Sequence, residues 1–307
     1  MAIREHTEAA AERFAVLAGL PLTHVGPPKT GFTGLKALID VWRNKSLLLM
    51  FVQRDIKAKY KDSVFGVLWT LIRPLVQLLV FYLVIGKFLG AERGIPLFAI
   101  YIFTGLTAWG LFSEIINSTT ASIVSNSGIV KKIYLPREIF PLTAVGISLF
   151  NFAIQLSILV VATLILRPGL DPANLIYAIP SFLLILIFAT ACGLALAALN
   201  VQLRDTQYLV EVALMVLMWA SPIMYSWNMA TSTLGTGIAL SVYTANPVTL
   251  AIMGFQKAFW ASPSTPEGTL PDNLMLYLWI SLAASLFLLV LCQRLFAKFQ
   301  GNFAQAL

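Results

Sequence analysis

The chain alternates long runs free of charge with short charged or polar clusters. Crossing a bilayer core takes about 20 apolar residues in a helix, so each long run is a candidate span. Six spans are predicted, at about 64–86, 95–117, 140–166, 175–198, 207–227 and 274–295, the first interrupted only by Arg73. The uncharged stretch 212–256 is too long for one span. Pro222, in SPIMYSW, lacks the donor a helix needs and ends the fifth span there. The following MATSTLGTGIALSVYTANP is rich in small and polar residues, and LAIMGFQKAFW is too short to cross. A re-entrant or interfacial helical hairpin over 229–260 satisfies both features, with a plain extracellular loop as the alternative. No period of two runs through the apolar stretches, which excludes a transmembrane barrel. The expected fold is therefore an all-α membrane protein: six transmembrane helices, an N-terminal amphipathic interface helix, and an extracellular re-entrant hairpin between spans five and six.

Two further helices follow from polar patterning. Over 35–61, Leu35, Leu38, Ile39 and Trp42 recur at helical spacing, and Arg54, Lys57 and Lys61 oppose Val52, Ile56 and Tyr60, with Lys59 out of pattern and expected to snorkel. Such a helix lies in the interface with its cations on anionic headgroups. It either simply anchors the chain or draws an anionic lipid-linked substrate to the mouth of span one. The loop SNSGIVKKIYLPREIFP offers Ser125 or Ser127 as caps and Pro136 and Pro141 as stops, predicting a two-turn helix that carries Lys131, Lys132 and Tyr134. A short rigid helix between two spans has the form of an element that receives force from a soluble partner.

Composition agrees. Of 307 residues, 58% are hydrophobic and 11% charged, where a soluble domain carries about 25% charge, and mean hydropathy is +0.82. A water-soluble enzyme is excluded. Lys131, Lys132, Arg137, Arg204, Arg294 and Lys298 fall on one side with the basic N-terminal run, against Lys87, Arg93, Arg167 and Lys257 on the other. The positive-inside rule then puts both termini in the cytoplasm, in agreement with six crossings. The first 34 residues are polar, without a signal-peptide core, and form a cytoplasmic extension; 301–307 form a tail. The net charge of +7 is accounted for by membrane contact without nucleic acid.

Catalytic chemistry is not legible. GKFLG at 86–90 lacks the spacing of a phosphate-binding loop, and no carboxylate pair or nucleophile triad shares a location. Cys192 and Cys292 stand in apolar runs, and His6 and His24 in a polar stretch, so no metal site is expected. No cofactor is expected in this chain. Arg73, about 14 Å into a span starting at Val64, needs either Glu114 or Glu211 as partner, or a water-filled path where it meets a substrate diphosphate. Trp69, Tyr101, Trp109, Tyr225 and Trp227 suit interfacial belts, while Phe81, Tyr82, Trp219 and Tyr225 are candidates for lining a sugar path.

The blocks RDIKAKYKDSVFGVLWTLIRPLVQLLVF and NSGIVKKIYLPREIFPL together resemble the permease subunit of type-2 ABC exporters, nearest the group that exports O-antigen, teichoic acid, capsule or mycobacterial galactan on lipid carriers. The likeness extends over residues 35–300 as a single transmembrane domain. It implies a homodimer in the bacterial inner or plasma membrane, docked to two copies of a cytoplasmic ATPase that binds ATP and Mg, and moving a polyprenyl-diphosphate-linked glycan. It makes 128–138 the coupling helix, so that Gly128, Ile129, Lys131, Lys132, Ile133, Tyr134, Leu135, Pro136, Arg137 and Glu138 are the expected ATPase contacts. The region after SPIMY matches gate helices. A drug or lipid exporter of the same superfamily is the alternative. A membrane-embedded glycosyltransferase needs outer acidic residues that Glu92, Asp171, Glu267 and Asp272 supply only in scattered form.

Overall fold

The computed structural model describes residues 45–61, 66–132, 135–166, 171–235, 237–261, 265 and 268–307, all within one compact unit, Gly34–Leu307. The positions expected to begin the interface helix, Leu35, Leu38, Ile39 and Trp42, lie outside the described residues, as do Ile133 and Tyr134.

Among the described residues the regular structure is entirely helical. Helix α1 is Lys45–Tyr60 and α2 is Trp69–Phe81, which widens into π-helical turns over Tyr82–Phe88. α3 (Phe98–Ser125), α4 (Ser127–Lys132) and α5 (Ile139–Leu166) follow. A one-turn helix, Pro172–Leu175, is capped by Asp171, whose carboxylate accepts from the Ala173 amide at 3.0 Å, and leads into α6, Ala178–Gln202. Next come α7 (Thr206–Trp219), α8 (Trp227–Leu234), α9 (Ile238–Ala245), α10 (Pro247–Phe259) and α11 (Leu274–Phe299).

Among the described residues five helical stretches are each long and apolar enough to cross a membrane, and α9 with α10 qualifies only as a pair bent by 73°. α7, at 14 residues, is only about 21 Å long. The expected fifth span ran to Trp227; here the helix stops at Trp219, before Ser221 and Pro222, and Trp227 opens the next helix.

The central helix is α3, packed by α5, α6 and α10. It is the least apolar of the five, yet 78% of its most apolar stretch is buried, against 6% for Trp69–Phe88. The inversion has a physical cause. In lipid the apolar helix loses nothing by facing outward, whereas small and hydroxylated residues permit close packing of backbones. Thr104, Thr107, Thr119 and Thr120 are buried, each donating to the carbonyl four residues back. At Gly193 of α6 an added Cβ would run into the Thr119 hydroxyl, and at Gly254 of α10 into that of Ser181. The three helices thus meet at distances only glycine permits.

The two ends of the bundle are recognisable by their packing. At one, Val130, Phe140, Val201, Phe296 and Phe303 form a small buried cluster under the 126–138 corner. At the other, the Trp260 indole donates to the Pro96 carbonyl at 2.7 Å, and the Asn174 carboxamide to that of Ala261 at 3.5 Å. Lys131, Lys132, Arg137, Arg204, Arg294 and Lys298 all belong to the first, basic end.

Candidate functional site

The basic end is assembled around the junction of α1, α3 and α5. α1 runs alongside α5: Phe51 meets Phe140 edge-on at 5.9 Å, Val52 fills the notch at Gly146, and the Tyr60 hydroxyl donates to Asn151 at 2.9 Å. Asn151 in turn donates to the Glu114 carboxylate of α3, and Lys59 lies 3.7 Å from the same carboxylate. Burial first, and then the Glu114 charge, push the Tyr60 phenol above its ordinary value, so it stays protonated and donates. Lys59, the residue that broke the amphipathic pattern, is therefore directed to a carboxylate on α3. Counted from the far ends of their helices, Glu114 and Asn151 lie about 24 and 22 Å in, near the inner edge of a core about 30 Å thick.

Arg54 pairs with its neighbour Asp55 at 2.7 Å, lies over the Phe51 ring at 4.5 Å, and reaches Asn126 at 3.4 Å. Asn126 is the break between α3 and α4: its carbonyl accepts from Ile129 and Val130, and its side chain donates to Ser122. Arg54 thereby ties α1 to the corner helix. Lys57 and Lys61 are exposed.

α4 is held by Val130, which is buried, and presents Gly128, Lys131 and Lys132 outward. Ile129 packs partly against the small cluster, and Leu135 and Pro136 are half-buried. Helix ends at Lys132 within the described residues, and Pro136 to Glu138 form a turn into α5. Glu138 is only 4% exposed and accepts from Gln293 of α11 at 3.3 Å, while Arg137 lies over the Phe303 ring at 5.8 Å. The two charged residues at the end of the expected contact segment thus brace the corner from within. Their charges gave no sign of this, because what they meet is Gln293 of α11 and Phe303 beyond its end.

Arg73 is exposed on α2 and makes no ion pair among the described residues. Of its two expected partners, Glu114 is taken by Lys59, and Glu211 is exposed on α7. α2 starts at Trp69, after Gly66 with φ of +46°, so Arg73 stands one turn inside the helix, about 6 Å in, within snorkelling reach. Phe81 and Tyr82 pack against the main core, and the Lys87 ammonium lies 5.5 Å from the Tyr82 ring. Trp219 is exposed at the end of α7.

The break after α7 is held by groups that composition and motif did not single out together. The buried Tyr101 hydroxyl faces the carbonyls of Tyr225, at 2.7 Å, and Pro222, at 3.2 Å; the Gln256 carboxamide donates to Pro222 at 2.6 Å. Ile223 of the break lies against Gly105. Non-helical backbone at membrane depth persists only where protein supplies such donors. Pro222 signalled the break in the sequence; nothing there identified Tyr101 and Gln256, 121 and 34 residues away.

The long apolar helices, the internally satisfied break and the basic corner define a polytopic helical membrane protein. The profile of the ABC-2 type transporter family matches residues 46–260, and the chain belongs to that family. It is 28% identical over 275 residues to the O-antigen export system permease protein RfbA of Myxococcus xanthus, covering 89% of this chain and 100% of that protein. A permease of the same name from Klebsiella pneumoniae is 26% identical over 216 residues, 69% of this chain and 80% of its own length. Another from that organism is 25% identical over 263 residues, or 85% and 95%.

Proposed function

We propose that this chain is the permease subunit of an ATP-driven exporter that carries a polyprenyl-diphosphate-linked polysaccharide out of the cytoplasm across the inner or plasma membrane. The observation that carries the reading is the similarity to an O-antigen export permease along that protein's whole length. In this reading two copies of the chain form the path, both termini are cytoplasmic, and each copy docks one cytoplasmic ATPase, where ATP and Mg bind.

The geometry supplies a route for the motor's motion. A push on α4 reaches α3 directly, because only Asn126 separates them, and reaches α1 through Arg54 and Asn126. The Lys59–Glu114–Asn151–Tyr60 chain then obliges α1, α3 and α5 to move together. α2 and α7, tied to each other through Gln77 and Met218, carry the exposed apolar faces that would part or meet a second copy as the path opens. Arg73 on α2, with Lys57 and Lys61 at the basic end, offers cations to a diphosphate.

The test is co-purification with a cytoplasmic ABC ATPase from the same organism. The full complex in lipid nanodiscs should hydrolyse ATP faster than the ATPase alone. Tyr134→Ala with Leu135→Ala should abolish that stimulation while the permease remains folded. Unchanged stimulation in the double variant, or no ATPase partner at all, would overturn the reading.

A further inference from the structure

At the end of the bundle opposite the basic corner, a cavity of about 370 Å³ opens between α8, α9 and the start of α11. Its lining includes Trp227, Tyr277, Ser241, Thr244, Asp272 and Asn273. The volume is at the small end of ligand pockets, which run from about 300 to 1,000 Å³. We propose that this cavity is a saccharide subsite that takes one neutral pyranose unit of the exported chain; the assignment of the exported chain rests on the function proposed above.

Three features of the lining select that ligand. The first is an aromatic surface held in place. Trp227 opens α8, where Ser226 caps the helix by accepting from the Met229 amide, and its ring stacks on Tyr243 at 6.2 Å and 29°. The Tyr243 hydroxyl in turn lies 3.4 Å from that of Tyr225. Trp227 is thus a ring fixed from one side, and Tyr277, 42% exposed in the first turn of α11, adds a second aromatic surface to the lining. Aromatic rings of this kind accept the C–H face of a pyranose while their polar edges stay wet.

The second feature is an excess of acceptors. The Ser241 and Thr244 hydroxyls already donate to carbonyls of their own helix, at Gly237 and at Leu240 and Ser241. Their oxygens are left to accept, as is the Asp272 carboxylate, while the Asn273 amide both donates and accepts. A ligand bearing several hydroxyl donors matches that set; an acyl chain does not.

The third feature is charge. Among the described residues of the lining Asp272 is the only carboxylate or cation, so a uronic acid or a phosphate would meet repulsion in a half-enclosed space. The cavity therefore discriminates between neutral and acidic sugars, and it does so on the side where a translocated chain emerges.

Saturation-transfer NMR on the full chain with its ATPase in nanodiscs tests this, using the methyl glycosides of glucose, galactose and mannose, and of glucuronic acid as the acidic probe. Transfer to ring protons of at least one neutral glycoside is expected, with little to the glucuronide. Tyr277→Ala, at an exposed position, should weaken neutral binding about tenfold, the equivalent of 1.4 kcal/mol. Asp272→Asn should raise the glucuronide signal relative to the neutral one. Absence of transfer to every neutral glycoside, or transfer indifferent to Tyr277→Ala, refutes the subsite. Surface glycan measured in cells keeps the two readings apart: export without sugar binding removes the subsite alone, whereas sugar binding without export removes the exported chain as ligand and the proposed function with it.

Discussion

Glu114 shows how much one side chain's meaning depends on its neighbours. From the sequence it is a candidate partner for Arg73; in the fold it receives Lys59 of α1 and Asn151 of α5 at once. The ion pair is half-exposed and so contributes little, about 0–1 kcal/mol, whereas an Asn151 amide left without its acceptor costs about 1–3 kcal/mol. Glu114→Gln retains an acceptor and should lower thermal stability in detergent by less than about 1 kcal/mol, and Glu114→Leu by clearly more. Equal losses in the two variants would mean that the hydrogen bond to Asn151 holds nothing. Lys59 was readable as an exception to an amphipathic pattern, but its partner, 55 positions along the chain, was not.

Among the elements, the break between α7 and α8 carries the clearest energetic asymmetry. Tyr101 serves two carbonyls, and Gln256 shares one of them while its own Oε1 is buried without a hydrogen bond among the described residues. Removing Gln256 therefore relieves one unsatisfied atom as it breaks one bond, but removing the Tyr101 hydroxyl strands the Tyr225 carbonyl. Tyr101→Phe should destabilise by about 1–2 kcal/mol and Gln256→Leu by less, as read from thermal unfolding in detergent. The reverse order would contradict the assignment of Tyr101 as the main support of the break. Pro222 and the small polar residues after it announced an interruption at the element level. How the interruption is tolerated required two donors from helices distant in sequence.

For the whole molecule, the distribution of burial separates the packed helices from those left facing outward. α3, α6 and α10 form the interior, and α2 and α7 are mostly exposed apolar surface carrying Arg73 and Glu211. Because Arg73 leaves no carboxylate behind among the described residues, Arg73→Gln should give normal protein levels and reduced glycan export, compared by immunoblot of membrane protein and of surface glycan. A parallel fall in protein level would instead assign Arg73 a structural partner, in a second copy or elsewhere.

The sequence alone determined that the chain is helical and lies in a membrane, because the length and apolarity of a crossing helix are properties of consecutive residues. It also determined which loops carry the basic charge and that Pro222 marks an interruption, since both are local, though the helix ends at Trp219 and not at the expected Trp227. Tertiary structure alone decided which helix is central, which polar groups meet, and that Glu138 faces inward. Water and lipid each impose their demand on a single residue, but satisfying a buried donor or acceptor takes a second one, and the position of that second residue is set only when the helices pack.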